Sequence, residues 1–362
     1  MNAAVTRATP FRAVSKLSRP IADATHSIPE IAFFIVELEL AGGAAGQGYL
    51  LSFHYSPEAI RGALRDACAF AKGYQAWQTV KYREDIYREN EYFGQNGPQK
   101  CAAAVVNVAM WDAWGRTLGQ PVWKLLGANA GRVPVYGSGG WLSYSDAELI
   151  EEVTDYKKRG FRSVKIKVGS PGGVAADLER LRLVREAVGD NVGIMMDANQ
   201  GLELAAAREL AERASRLNLG IRWFEEPIDH ANYDGYKYLR EKSGVSLATG
   251  EREYDLEPLK ALIARNAIDL WQPDLIRIGG VEAWLDSASL ANAYHIPVLP
   301  HYYRDYDVPL LCTLPNAYGV ESFDWIDGII DNRMRIEDGY AYPREEPGWG
   351  FRFKESALTP MR

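Results

Sequence analysis

From Val133 onward, short β-branched and apolar runs alternate with longer amphipathic stretches, and few folds accommodate that alternation. The short runs are VPVYG (133–137), VKIKV (164–168), GIMMDA (193–198), IRWFEE (221–226), VSLATG (245–250), LWQPD (270–274), PVLPH (297–301) and YGVES (318–322). Between them lie segments such as DLERLRLVREAVG and AAARELAERASRL, with apolar residues at helical spacing. Eight strands recurring at intervals of roughly 20 to 30 residues, with room for a helix in each crossover, predict a parallel α/β barrel rather than an open sheet.

The chain before this repeat reads differently. IAFFIVELEL is strand-like, AGGAAGQG carries hairpin glycines, SPEA caps a helix running to Ala71, and Gly119-Gln120-Pro121 ends a small-residue helix from Cys101 to Leu118. The expected division is an α+β unit over 1–130, the barrel over 131–324, and a polar, aromatic, proline-rich segment over 325–362 that packs back on the first unit.

At 362 residues and 47% apolar content the chain can bury a large core. A net charge of -7 without a Lys/Arg cluster argues against nucleic acid as a partner. The most apolar windows are interrupted by Glu37, Glu39 and Asp112, so no membrane span is expected. Cys68, Cys101 and Cys312 are widely spaced and odd in number, which predicts neither disulfides nor a cysteine metal site and points to the cytoplasm. Arg7, Arg12, Lys16 and Arg19 stand without acids near the start, but no hydrophobic targeting core accompanies them.

If the strands are parallel, their C-terminal ends share one rim. That rim collects Lys165 and Lys167, Asp197 and Asn199, Glu225, Glu251, Asp274, His301 and Glu321. An isolated KxK suits a protected edge strand, and single acids at strand ends suit helix caps. Capping does not explain why seven successive strands end in ionisable groups. Asp197, Glu225 and Glu251 together suit a hard, oxygen-seeking cation, which describes Mg2+ better than zinc. Lysines on one side and His301 on the other suit abstraction of a proton next to a carboxylate, a step that needs the developing enediolate stabilised. Mutual repulsion is expected to lower the pKa of one lysine so that it can act as a base. Asp274 is expected to orient His301, and Glu321 to contact a substrate carboxylate as a donor if it is held protonated.

AMWDAWGRTLGQPVWKLLGA, VKIKVG, MMDANQG, WFEEP, ATGE, QPDLIRIGG and LPH, in that order, resemble the enolase superfamily and within it the mandelate racemase subgroup. The resemblance spans nearly the whole chain and implies a modified TIM barrel, (β/α)7β, with an α+β capping domain. It implies Lys167 as one acid/base catalyst with Lys165 as its carboxylate-contacting neighbour, and Asp197, Glu225 and Glu251 as magnesium ligands. His301 paired with Asp274 becomes the opposite-face catalyst, Glu321 a substrate contact and Asn199 a polar residue of the same site. Loops over Arg19–Ser27 and Gln47–Ser56 are expected to close over the substrate, and a homo-oligomer is expected. YGSGGW, ATGE, QPDLIRIGG, VESFDW and GWGFRF look like galactarate and talarate dehydratases, whereas PHYYRDYDVP and REYD depart from them. Tyr303, Arg304, Arg252 and Glu253 are therefore candidate contacts to a different polyol chain.

The expected activity is magnesium-dependent dehydration of an aldonate or aldarate to a 2-keto-3-deoxy acid. The same bases also serve a racemase, an epimerase or a cycloisomerase, and a protein without activity would retain only the fold.

Overall fold

The computed structural model describes residues 2–361. Strands β1 (Val5–Ser15), β4 (Ile31–Leu40) and β5 (Ala45–Leu51) form an antiparallel sheet, and the small hairpin of β2 (Ile21–Ala22) and β3 (Ser27–Ile28) leaves it between β1 and β4. IAFFIVELEL is buried along nearly its whole length because it is the central strand. Helices α1 (Pro57–Phe70), α2 (Thr79–Asn90) and α3 (Pro98–Leu118) complete this unit. The glycine-rich hairpin has a packing reason: a Cβ at Gly46 would stand 2.3 Å from the Ala109 carbonyl oxygen, and one at Gly48 2.3 Å from that of Val105. Only glycine lets β5 lie this close to the small residues of α3.

The barrel strands are β6 (Val133–Gly139), β7 (Ser163–Lys167), β8 (Gly193–Asp197), β9 (Ile221–Glu225), β10 (Leu247–Thr249), β11 (Leu270–Trp271) and β12 (Val320–Ser322). They pair in parallel in chain order, and β12 closes the ring on β6. The expected seventh strand, 297–301, is reduced to bridges from Val298 to Trp271 and Ala317. Its prolines, Pro297 and Pro300, lack the N–H groups that a longer ladder needs. In β7 the aliphatic residues face the surrounding helices and the lysines face inward, with Lys165 and Lys167 only 1% and 5% exposed. Tyr136, Met195, Trp223, Ala248, Leu270 and Leu299 form a separate apolar layer inside the barrel, below the charged rim.

The segment after Trp325 touches both units. A hairpin of β13 (Arg335–Glu337) and β14 (Tyr340–Tyr342) adds to β6, while β15 (Thr359–Pro360) adds to β1. Buried Asp112 of α3 accepts from the backbone N–H groups of Gln47 and Trp349, both at or below 2.9 Å, and so ties the tail to the first sheet. Among the described residues no helix is long and apolar enough to cross a membrane.

Candidate active site

The rim gathers Lys165, Lys167, Asp197, Glu225, Glu251, Asp274, His301 and Glu321, all of them buried apart from partly exposed His301. Sharp backbone turns follow several of them. Asn199, Glu226 and Tyr302 have φ of 42°, 36° and 65°, left-handed values that cost non-glycine residues on the order of 1–3 kcal/mol each and cluster at sites where geometry is over-determined. Gly250, at φ 135°, precedes Glu251, and a Cβ there would come 2.7 Å from the Trp271 ring.

Two lysines interlace with the acids. The Lys165 ammonium pairs with Glu225, lies 2.6 Å from Glu321 and 3.6 Å from Asp197; the Lys167 ammonium lies 2.5 Å from Asp197. Gln272 Nε2 donates to Glu225 Oε2 at 2.7 Å, and Trp223 Nε1 approaches the same oxygen at 3.3 Å. On the other side, His301 Nδ1 lies 2.9 Å from Asp274 and its Nε2 lies 3.7 Å from Glu251. Asp274 also caps the short helix Leu275–Ile278 through Oδ1, so each of its oxygens has a separate task.

The protonation pattern differs from the expectation in two places. Burial alone would lower the pKa values of both lysines, but Glu225, Glu321 and Asp197 outweigh it at Lys165, and Asp197 outweighs it at Lys167, so both are raised. Lysine–lysine repulsion is present yet too small to free one amine while the carboxylates surround them. Glu321 is not held protonated: burial raises it, but Lys165, His301 and Lys167 bring its pKa down to about 2. Its Oε2 accepts the Tyr302 N–H at 2.9 Å, so it acts here as an acceptor. His301 is raised to about 9, because Glu251 and Asp274 overcome its burial.

The acids fit a hard cation by donor chemistry, although among the described residues no three potential ligands are packed closely enough to hold one as they stand. The lysine ammonium groups take up the oxygens of Asp197 and Glu225. Glu225 is pushed up to about 7 by burial and by Asp197, Glu321 and Glu251, despite Lys165. An acid cluster this incompletely neutralised is suited to oxygen coordination of a divalent ion.

Above the rim lies a cavity of about 350 Å³. The β2–β3 hairpin contributes Asp23 and His26, and the segment after β5 contributes Ser52, Phe53, Tyr55 and Ser56. The two meet through the His26 and Tyr55 rings, 5.6 Å apart. Of the expected Gln47–Ser56 loop, the portion through Leu51 is strand β5. One wall is aromatic: Phe323 stacks on Trp325 at 4.2 Å, and Trp141 lies 6.0 Å from Trp325 and 5.1 Å below the Lys167 ammonium.

Asn199 lines the cavity, and its buried Oδ1 has no hydrogen-bond partner among the described residues. Tyr303 and Arg304 are not brought to it. The Tyr303 hydroxyl accepts from the Leu51 N–H at 3.0 Å, anchoring β5 to the barrel just before the closing segment. Arg304, 1% exposed, pairs with Asp305, Asp324 and Asp327 and donates to Ser322. Arg252 does line the cavity, held 2.8 Å from Glu226, whereas Glu253 pairs with His230. Sequence reasoning missed Asp23, His26, Trp141, Tyr254, Gln272 and Arg277 as site residues. Gln272 and Arg277 sit inside the QPDLIRIGG motif, where position was the available signal.

A barrel with a charged, buried rim beneath a closing α+β unit defines a capped-barrel enzyme. The chain belongs to the enolase superfamily: residues 6–127 match the mandelate racemase / muconate lactonizing enzyme N-terminal domain, and residues 148–357 the enolase C-terminal domain-like family. It is 28% identical over 348 residues to the L-talarate/galactarate dehydratase of Salmonella typhimurium, covering 94% of this chain and 87% of that one. It is also 28% identical over 341 residues to the arabinonate dehydratase of Saccharolobus solfataricus, covering 90% and 89%. The crystal structure of L-talarate dehydratase from Polaromonas sp. JS666, complexed with Mg and L-glucarate, superposes with a TM-score of 0.90 at 28% identity, covering 99% of this chain and 100% of that one.

Proposed function

We propose that the protein is a magnesium-dependent dehydratase that converts a sugar acid, an aldonate or an aldarate, into a 2-keto-3-deoxy acid. The observation that carries this reading is the placement of Lys167 and His301 on opposite sides of one buried carboxylate cluster beneath a cavity. Asp197, Glu225 and Glu251 would hold magnesium, which supplies positive charge for the substrate carboxylate as its α-carbon becomes electron-rich. Lys165 donates to that carboxylate, and Glu321 positions Lys165 from 2.6 Å. Lys167 or His301 takes the α proton, and His301, its ring fixed by Asp274, hands a proton to the departing β-hydroxyl so that it leaves as water. The resulting enol tautomerises to the keto acid. Asn199, which lines the cavity, is a further polar contact for the hydroxylated chain in this reading.

The dehydratase names of the relatives support this reaction class. The same reading carries a cytoplasmic, homo-oligomeric enzyme, which the three free cysteines and the resemblance support and which fractionation and sedimentation test. The deciding experiment incubates the protein and magnesium with a panel of mono- and diacid sugars in deuterated water. A 2-keto acid product establishes dehydration. Deuterium incorporation without that product turns the reading toward an epimerase or racemase. Normal exchange and turnover in both Lys167→Ala and His301→Asn refute the assigned bases.

A further inference from the structure

Four lysine or arginine side chains line the cavity, and three of them have carboxylate partners: Lys165, Lys167 and Arg252. Arg277 is the fourth. Its guanidinium has no ion pair and no side-chain hydrogen bond among the described residues; its neighbour is the Tyr254 ring, 5.8 Å away, which also lines the cavity. The side chain lines the cavity, and its nitrogens are not among the sealed, unpartnered polar atoms of the interior. A guanidinium in such a recess carries its charge at every working pH and gains most from a planar anion that accepts two hydrogen bonds.

The surroundings favour an anion at this end. Gly97 and Pro98 line the cavity too, and they open the 21-residue helix α3, which has no side-chain cap, so its positive end is unopposed. The next residues bring no compensating acid: Lys100 lies over the Tyr87 ring at 5.1 Å without a carboxylate partner, and Cys101 lines the cavity. The acids closest in the chain are already engaged, Asp274 with His301 and with the short helix that carries Arg277, and Glu251 with His301 and Arg252. The other wall, built from Trp141, Phe323 and Trp325, offers no second cation besides the lysines of the rim.

We propose that Arg277 is the anchor of a second anion subsite that receives the distal carboxylate of the substrate, making the protein selective for dicarboxylic sugar acids over monoacids. This rests on the sugar-acid reading above and deepens it. The carboxylate next to the reacting carbon sits at Lys165 and the metal ligands, the hydroxylated chain spans the cavity, and the far carboxylate meets Arg277 beside Tyr254 and the start of α3.

The test uses the full-length protein with magnesium and pairs of acids that differ only at the far end, such as galactarate against galactonate and glucarate against gluconate. Binding is followed by tryptophan fluorescence or calorimetry, and keto-acid formation is followed separately. Wild type is expected to bind the diacid of at least one pair ten times more tightly or better. Arg277→Gln is expected to weaken diacid binding about 10- to 100-fold while monoacid binding changes less than about threefold. Arg277→Lys, which keeps the charge and loses the fork, is expected to fall between them and serves if the glutamine variant does not fold. Equal losses on both acids, or a wild-type preference for monoacids, overturn the proposal. A role exerted only through Asp274 would shift the pH profile with both acids equally, and that result also overturns it. Diacid-selective, Arg277-dependent binding without keto acid would leave the subsite standing and remove the dehydratase reading; keto acid formed without diacid preference would do the reverse.

Discussion

Replacing Arg304 by Met separates a structural cation from a substrate contact. The guanidinium is 1% exposed and serves Asp305, Asp324, Asp327 and the Ser322 hydroxyl. Removing one partner of a buried ion pair costs about 3–5 kcal/mol when the other charge is left uncompensated. Asp324 keeps 44% of its side chain in solvent and contributes little to that loss, while Asp327, 19% exposed and in close contact, adds to it. Buried Asp305 carries most of it, but it retains Arg344 at 2.5 Å, which places the expected destabilisation near the lower bound, about 3 kcal/mol. Burial raises the Asp305 pKa, but Arg304 and Arg344 outweigh it and the net value is lowered. A carboxylate lowered in the folded state stabilises above its unfolded pKa and loses that contribution as pH falls through the folded value. The gap between wild type and Arg304→Met should therefore be complete at pH 7 and narrow below about pH 4. Urea unfolding at a series of pH values measures it, and kcat/KM of the folded variant should stay within about threefold of wild type. A loss below about 1 kcal/mol, or a large fall in kcat/KM with stability intact, would refute the reasoning and restore Arg304 as a substrate contact.

Other consequences are open to direct measurement. Magnesium must displace the proton shared near Glu225, whose pKa is about 7, so affinity measured by calorimetry should rise roughly fivefold from pH 6 to pH 7, with proton release on binding; a pH-independent affinity contradicts this. Lys167→Ala and His301→Asn should each lower turnover by about 10²–10⁴-fold, and deuterium exchange should show which of them takes the α proton. Tyr303→Phe removes the partner of the half-buried Leu51 N–H, at a cost of about 1 kcal/mol; because that bond anchors β5 beside the closing segment, KM should rise more than kcat falls. Gly250→Ala forces a side chain toward the Trp271 ring at φ 135° and should destabilise the protein while weakening metal affinity through displaced Glu251.

The barrel and most of its rim were legible because a parallel barrel sends every strand end to one face, so chain position alone assembles the site. Asp197, Glu225, Glu251, His301 and Glu321 needed only that rule. Position does not say what surrounds a side chain, and the two wrong expectations about charge both follow from this. Lys165 and Lys167 are adjacent on one strand face, which is visible as KxK, but the acids that raise their pKa values come from three other strands. Glu321 was expected to act as a donor if held protonated, whereas Lys165 at 2.6 Å keeps it ionised. Tyr303 and Arg304 follow His301 by two and three residues, yet the left-handed turn at Tyr302 starts a helix that points them away from the cavity. Arg277 was overlooked for the opposite reason: it lies in a matched motif, and only the absence of a partner in three dimensions sets it apart.

The charge pattern of the rim bears on how the site could work. Six carboxylates, from Asp197, Glu225, Glu226, Glu251, Asp274 and Glu321, face four cationic groups, from Lys165, Lys167, Arg252 and His301. That excess of negative charge holds both lysines protonated and raises His301 to about 9, and together with burial, the largest cause there, it raises Glu225 to about 7. A divalent cation held by Asp197, Glu225 and Glu251, as proposed above, would make up the difference in charge. It would withdraw from the lysines the same carboxylates that keep them protonated, and from His301 its contact with Glu251. The repulsion between Lys165 and Lys167, too weak to matter while the acids surround them, would then set their order of deprotonation. On this argument the acids serve to couple metal binding to the creation of a base, so a lysine becomes reactive only in a molecule already equipped to stabilise the charge that its reaction produces.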